Sequence, residues 1–373
     1  MTTPLGVYVH WPYCARICPY CDFNVYKNRT IDEGAWIAAL TRDLEAYAGR
    51  TSGRKLSSLY FGGGTPSLAP VSIVASVIEN CARLWGFETN AEITLEANPT
   101  DAELSSFAAF DAAGVNRLSL GVQSLRDEAL EFLGRDHDAA GALRAIDAAQ
   151  ASFDRVTFDL IYARPGQSLA DWRTELGEAL ALGVAHLSLY QLTIEPGTAF
   201  AKAVDSGRWA PPDEDLCADM YDAAQEMTAA ARLPAYEISN HAAAGDESRH
   251  NLVYWTYGDY VGVGPGGHGR LSEAGARIET VAPLAPKDYL AGAPFTENRL
   301  SVREATMERL SMGLRLARGI PFTRADAYFD EPNAPQKLDL LIGDELLAWD
   351  GATLVATSEG RRILNRVLYE LFG

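Results

Sequence analysis

No apolar run in the 373-residue chain is long enough to cross a bilayer. The opening residues, Met1 to Gly6, hold no basic segment followed by an apolar stretch, so no secretory signal is expected. Positive charge is in short supply: 32 Lys and Arg face 50 Asp and Glu, a formal net charge of −18. That balance opposes general binding to nucleic acid or to an anionic membrane surface. Cysteine is scarce too. There are five, three of them in one loop, a usage that fits a reducing cytoplasm. Apolar residues are not scarce: 47 % of the chain is hydrophobic, enough for a large core and more than one domain.

The clustered cysteines are Cys14, Cys18 and Cys21, spaced C-x3-C-x2-C just after an apolar strand, Leu5 to His10. Soft thiolates select zinc, Cu(I) or iron–sulfur clusters. A structural zinc site closes with four ligands, and no second C-x2-C supplies the other half. Three thiolates on a four-iron cluster leave one iron open, as a reactive site requires. Cys81 falls on the apolar face of a helix and is expected in the core. Cys217, among alanines and polar neighbours, is expected to be structural or incidental.

A polar run, Lys27 to Thr30, follows the cysteine loop. Further strands are predicted at Leu56–Phe61, Glu92–Ala97, Arg117–Gly121, Val156–Ile161 and His186–Leu192, with helical periodicity between them. Such alternation argues for a parallel sheet, and by pattern alone a (β/α) barrel and an open doubly wound sheet fit equally. A long helix, Asp213 to Arg232, is followed by a loop holding Arg249 to Trp255 and by a glycine-dense run from Gly258 to Gly269. A Pro-rich linker, Val281 to Pro294, marks a domain boundary. Beyond it, helices are predicted at Arg303–Arg318 and Lys337–Leu346. A tight turn at Trp349–Ala352 joins two short strands, and a last helix runs from Glu359 to Leu371.

The cysteine motif after a first strand resembles the radical S-adenosylmethionine (SAM) superfamily. The resemblance extends through Gly62-Gly63-Gly64-Thr65-Pro66, Glu96-Ala-Asn-Pro, Gly121-Val-Gln-Ser and Asp159-Leu-Ile-Tyr, over nearly the whole chain. It implies a partial (β/α)6 barrel over residues 1–280 and a small α+β winged-helix-like domain over 296–373. It also implies a [4Fe-4S] cluster on Cys14, Cys18 and Cys21, with SAM on the open iron. Gly62, Gly63 and Gly64 match the motif whose backbone carbonyls accept from the SAM amine, beside Thr65. Glu96, Gln123, Arg135 and Asp159 match nucleotide-contacting positions of the oxygen-independent coproporphyrinogen oxidase-like branch. Carboxylates suit ribose hydroxyls, and arginine suits the SAM carboxylate. Tyr8 and Tyr20 flank the loop and offer aromatic area to the cluster or to adenine.

Within that branch, the coproporphyrinogen dehydrogenases carry a further cysteine two residues after the third, and this chain has Phe23 there. It also starts a few residues before its first strand, without their N-terminal extension. Both departures point to the sister group, the HemW-type haem chaperones. His250-Asn-Leu-Val-Tyr-Trp255 is similar to that group's H-N-x-x-Y-W signature. The resemblance implies haem as a ligand, with His250 as candidate axial ligand and His241, His268 and Cys217 behind it. It implies a cytoplasmic haem chaperone with a haem-acceptor protein as partner, and an electron donor such as flavodoxin or ferredoxin. The chain could pair as a homodimer. The competing readings are a true dehydrogenase that decarboxylates a porphyrinogen through a 5′-deoxyadenosyl radical, and a nucleic-acid partner, which the acidic charge disfavours.

Overall fold

Six parallel strands lie side by side in chain order: β1 (Leu5–Trp11), β2 (Leu56–Gly63), β3 (Phe87–Ala97), β4 (Arg117–Gln123), β5 (Arg155–Tyr162) and β6 (His186–Gln191). This partial (β/α)6 barrel comes from a computed structural model that describes residues 3–27 and 30–373. Asn28 and Arg29 of the expected polar run lie outside the described residues.

The barrel strands alternate, but the polar side faces in. In register across the sheet stand Tyr8, Tyr60 and Thr94; then Ser58 with Glu92, Thr94 with Arg117, Ser119 with Thr157, and Asp159 with Ser188. The intervening positions, among them Val7, Leu59, Leu95, Leu118, Phe158 and Leu187, are fully or almost fully buried in the apolar cluster shared with the outer helices. Successive strand residues point to opposite faces, so the same six segments build a dry outer layer and a polar lumen.

Helix starts follow ordinary capping chemistry. Asp32 caps the helix Glu33–Arg50 by accepting from Ala35 N at 3.0 Å, and Ser168 and Asp171 form a capping box at Leu169–Ala181. Cys81 is fully buried in the core, as its helical spacing predicts.

The sheet does not stop at six strands. β7 (Asn240–Ala242) adds antiparallel to β6, and β8 (Asp259–Val263) pairs parallel with β1. β9 (His268–Glu273), β10 (Ala276–Val281) and β11 (Thr296–Arg299) continue antiparallel from β8. The glycine-dense run thus forms β8, the turn over residues 264–267 and the start of β9. A Cβ on Gly262 would sit 2.0 Å from the carbonyl oxygen of His268, so only glycine lets β8 and β9 approach this closely. The Pro-rich segment expected as a linker carries a short helix, Pro286–Leu290, whose Tyr289 is buried in the main core. Thr296, expected to open the second unit, instead starts the edge strand β11.

A second apolar cluster gathers residues from Leu310 to Leu371. It is built on β12 (Ile320–Pro321), β13 (Leu347–Trp349) and β14 (Thr353–Ala356), in the order β12-β14-β13. Two predicted helices are shorter or broken. The first ends at Gly313, where Ile320 packs 2.2 Å from the place a Cβ would take. The last divides into Ser358–Arg362 and Leu364–Phe372, because Ile363 leaves helical geometry at φ −122°, ψ 34°. Among the described residues no helix is long and apolar enough to cross a membrane.

Candidate functional site

Strand ends aim the residues of interest. The cysteine loop leaves β1 and is closed by Cys14 N donating to Tyr26 O at 3.0 Å and Cys21 N donating to Cys18 O at 3.2 Å. His10, at the end of β1, bonds Asn24 O at 3.0 Å, and Asn24 Nδ2 donates to the carbonyls of Pro265 and Leu284. The loop is thereby tied to both β1 and the β8–β9 side. The glycine turn at the end of β2 packs beneath it. A Cβ on Gly64 would meet Tyr13 O at 2.6 Å and Cys14 Sγ at 3.0 Å. That position is a cradle that any larger residue would fill.

A cavity of about 930 Å³ opens over these strand ends. Cys14, Cys18 and Cys21 form one wall, with Gly63, Gly64, Thr65, Glu96, Gln123, Arg135 and Asp159 around it. Tyr20 also lines it, its hydroxyl 3.5 Å from Arg135 Nη1. Arg135 donates to Cys18 Sγ at 3.3 Å and to Gly121 O at 2.8 Å. Asn98, whose role has no signal in the Glu96-Ala-Asn-Pro motif itself, completes this corner. It donates to Thr65 Oγ1 at 3.0 Å and accepts from Arg135, joining the glycine turn to the arginine.

The cavity floor carries charge that burial makes costly. Burial pushes the Glu96 carboxyl up to about 7, although Tyr60 donates to it at 2.8 Å; burial pushes Asp159 up to about 6. Gln123 closes β4 in left-handed backbone geometry, φ 70°, after a register shift, and its Oε1 is buried without a partner. Arg135 Nε is likewise buried and unpartnered. Orphaned polar atoms facing a cavity mark places where a ligand completes the hydrogen bonding.

Two residues expected against the cofactors lie deeper. Tyr8 does not line the cavity; its hydroxyl is 3.0 Å from His10 Nδ1 and its ring lies 6.3 Å from that of Tyr60. Gly62 is packed against Tyr60, Tyr8 and Glu96.

The structure places His250 inside the barrel rather than at the cavity. Arg249–Trp255, predicted as loop, is a helix capped by Ser248. His250 is 1 % exposed inside the barrel, away from the cavity. Its Nδ1 lies 2.9 Å from Ser58 Oγ and its Nε2 2.6 Å from the Tyr254 hydroxyl, and its ring stacks on Tyr60 at 4.9 Å. Both ring nitrogens are thus engaged with hydroxyls of the fold. Burial pushes its imidazole down to about 3. The other side of the same helix sends Leu252 and Trp255 to the C-terminal apolar cluster. The motif thus wedges the barrel to that cluster, and Trp255 and Tyr257 line a separate cavity of about 590 Å³. The secondary candidates are also away from the main cavity: His241 is buried with Nε2 3.2 Å from Gln225, His268 lies on β9, and Cys217 lies against the Pro212 carbonyl.

The residue that holds the wedge, Glu92, was missed by the sequence reading. It is 1 % exposed and paired with Arg155 at 2.7 Å, with Arg117 at 3.8 Å. Its two oxygens also accept from Ser248 Oγ and from the backbone N–H groups of Arg249 and His250. A lone glutamate opening a predicted strand gives no local signal of this role.

Comparison with known proteins gives the family. Residues 8–176 match the radical SAM superfamily. A Bos taurus protein named radical S-adenosyl methionine domain-containing protein 1, mitochondrial, is 39 % identical over 383 residues, covering 98 % of this chain and 87 % of that protein. Proteins named heme chaperone HemW from Haemophilus influenzae and Escherichia coli are each 34 % identical, covering 99 % of this chain and 98 % of theirs. In three dimensions the chain is similar to coproporphyrinogen III oxidase (HemN) from Escherichia coli, with a TM-score of 0.80. That match covers 99 % of this chain and 90 % of the other, at 21 % identity.

Proposed function

The chain belongs to the radical SAM superfamily, in the group of its relatives named heme chaperone HemW, and from that membership we propose that it is a haem chaperone. It binds a [4Fe-4S] cluster and SAM, holds haem, and passes it to an acceptor protein. The observation that carries this reading is Phe23. It stands where the decarboxylating branch has a further cysteine, and it is 60 % exposed at the cavity mouth.

The residues fit the resident cofactors. Cys14, Cys18 and Cys21 supply thiolates from one loop, and the Gly64 cradle leaves room beside Cys14. Arg135, beside Cys18, offsets thiolate charge and presents its unpartnered Nε. Glu96 and Asp159 would accept from the hydroxyl or amine groups of SAM, Gln123 would complete its hydrogen bonding on the nucleotide, and the Gly63–Gly64 backbone would accept from the SAM amine. The bound cluster and SAM would supply one-electron chemistry, which the protein orients and shields. Three accessible thiols suit a reducing cytoplasm.

Anaerobic reconstitution followed by haem titration and a coproporphyrinogen assay tests the reading. Stoichiometric haem binding and transfer to an apo-acceptor, without porphyrinogen turnover, is expected. Multiple turnovers to protoporphyrinogen would overturn it in favour of the dehydrogenase.

A further inference from the structure

Ten large hydrophobic side chains are exposed among the described residues, and four of them line one cavity: Ile17, Phe23, Tyr190 and Ile363. Exposed apolar residues scattered singly need no explanation, but their convergence on one opening does. Ile17 and Phe23 stand on the cysteine loop. Ile363 stands on a lip from the far end of the chain, at the break between the helices Ser358–Arg362 and Leu364–Phe372.

The same lip is basic in a chain of net charge −18. Arg361, Arg362 and Arg366 flank Ile363 and line the cavity. Arg361 donates through Nη2 to Glu237 O, while its Nε is buried without a partner. Arg362 pairs with Asp222 and Glu359, and Arg366 with Glu370. Those partners are surface carboxylates, and pairs of this kind are weak enough to be exchanged for a ligand's. Guanidinium groups grip carboxylates bidentately, so the lip offers carboxylate partners beside an exposed aliphatic contact.

The occupant that fits is planar and apolar across its face and carries carboxylates at one edge. We propose that haem docks at this mouth, its macrocycle between Ile17 and Phe23 on one side and Ile363 on the other, its propionates on Arg361, Arg362 and Arg366. This rests on the haem-chaperone reading above. It gives the broken C-terminal helix a function and puts the cargo at the entrance to the SAM site.

The test compares haem with haem dimethyl ester on the cluster-loaded full chain, wild type against the double variant Arg362→Glu, Arg366→Glu. Both arginines are surface residues, and cluster absorbance controls for folding. Wild type should bind haem more tightly than the ester. The variant should lose roughly tenfold in haem affinity per arginine and discriminate little between the two ligands. A second variant, Ile363→Asp, should weaken both ligands alike. If wild type binds haem but the double variant keeps full discrimination, the docking assignment is wrong and the chaperone reading stands. If wild type binds neither ligand, the chaperone reading falls with it.

Discussion

Glu92 Oε1 accepts the backbone N–H of His250 at 3.2 Å while Glu92 Oε2 receives Arg155 at 2.7 Å. One buried carboxylate thus ties two barrel strands to the helix that carries the H-N-x-x-Y-W sequence. Burial alone would raise its pKa, but Arg117, Arg155 and the two backbone donors outweigh burial and hold it below the ordinary glutamate range.

Replacing Glu92 should therefore be severe. Glu92→Ala takes the buried carboxylate away from Arg117, Arg155, the Ser248 hydroxyl and two backbone N–H donors, and a loss of about 3–5 kcal/mol is expected by urea denaturation. A depressed carboxyl contributes stability above its unfolded pKa, about 4.3, and loses it as pH falls through the lower folded value. Glu92→Gln should show a shallower loss of stability below pH ~4 than wild type. Parallel acid profiles would contradict the assigned ion pair.

His250→Ala should damage folding more than haem binding. The change strips partners from the Ser58 and Tyr254 hydroxyls, worth about 1–3 kcal/mol. Haem affinity and the Soret band should match wild type. A changed Soret band in a folded variant would restore His250 as a ligand.

All six histidines are held below their ordinary pKa by burial. Each takes a proton less readily in the fold than in the unfolded chain, where histidines protonate below pH ~6.5. Stability is thus complete above that value and declines as pH falls toward the depressed folded values, about 4 for His137 and His241 and about 3 for His250. Thermal melts between pH 7.5 and pH 5, ranges set by the ordinary histidine value of about 6.5, should show this decline. A flat profile would contradict it.

SAM binding should weaken as pH is lowered from about 8 to about 6, because Glu96 and Asp159 accept hydrogen bonds best when ionised and burial raises both. Calorimetry on wild type and Glu96→Gln checks this. The variant should bind more weakly at high pH, with a smaller pH dependence.

Gly64→Ala should lower iron and sulfide content after reconstitution, since the new methyl strikes Tyr13 O and crowds Cys14 Sγ. Gly49→Ala meets nothing within 4 Å in a helix and serves as the control. Equal cluster content in both would remove the glycine turn from the shaping of the loop.

Spacing along the chain determined the parts whose geometry is local. Three thiols within one loop, a glycine turn at a strand end, and the strand–helix alternation each constrain a few neighbouring residues. Gly63, Glu96, Gln123, Arg135 and Asp159 are named through the family resemblance of their motifs, and the fold brings them and the three cysteines to one cavity, where parallel strands present their ends at the same rim. Tertiary structure alone decided which face each motif turns to. The H-N-x-x-Y-W resemblance makes His250 a candidate haem ligand, and the fold packs its ring against Ser58, Tyr60 and Tyr254. Phe23 read as a missing cysteine and became one lip of a mouth whose other lip, Arg361 to Arg366, comes from the opposite end of the chain. No local pattern encodes that meeting. It exists because the helix Arg249–Trp255 buries His250 in the barrel and sends Trp255 to the C-terminal cluster, bringing the two ends of the sequence to one cavity.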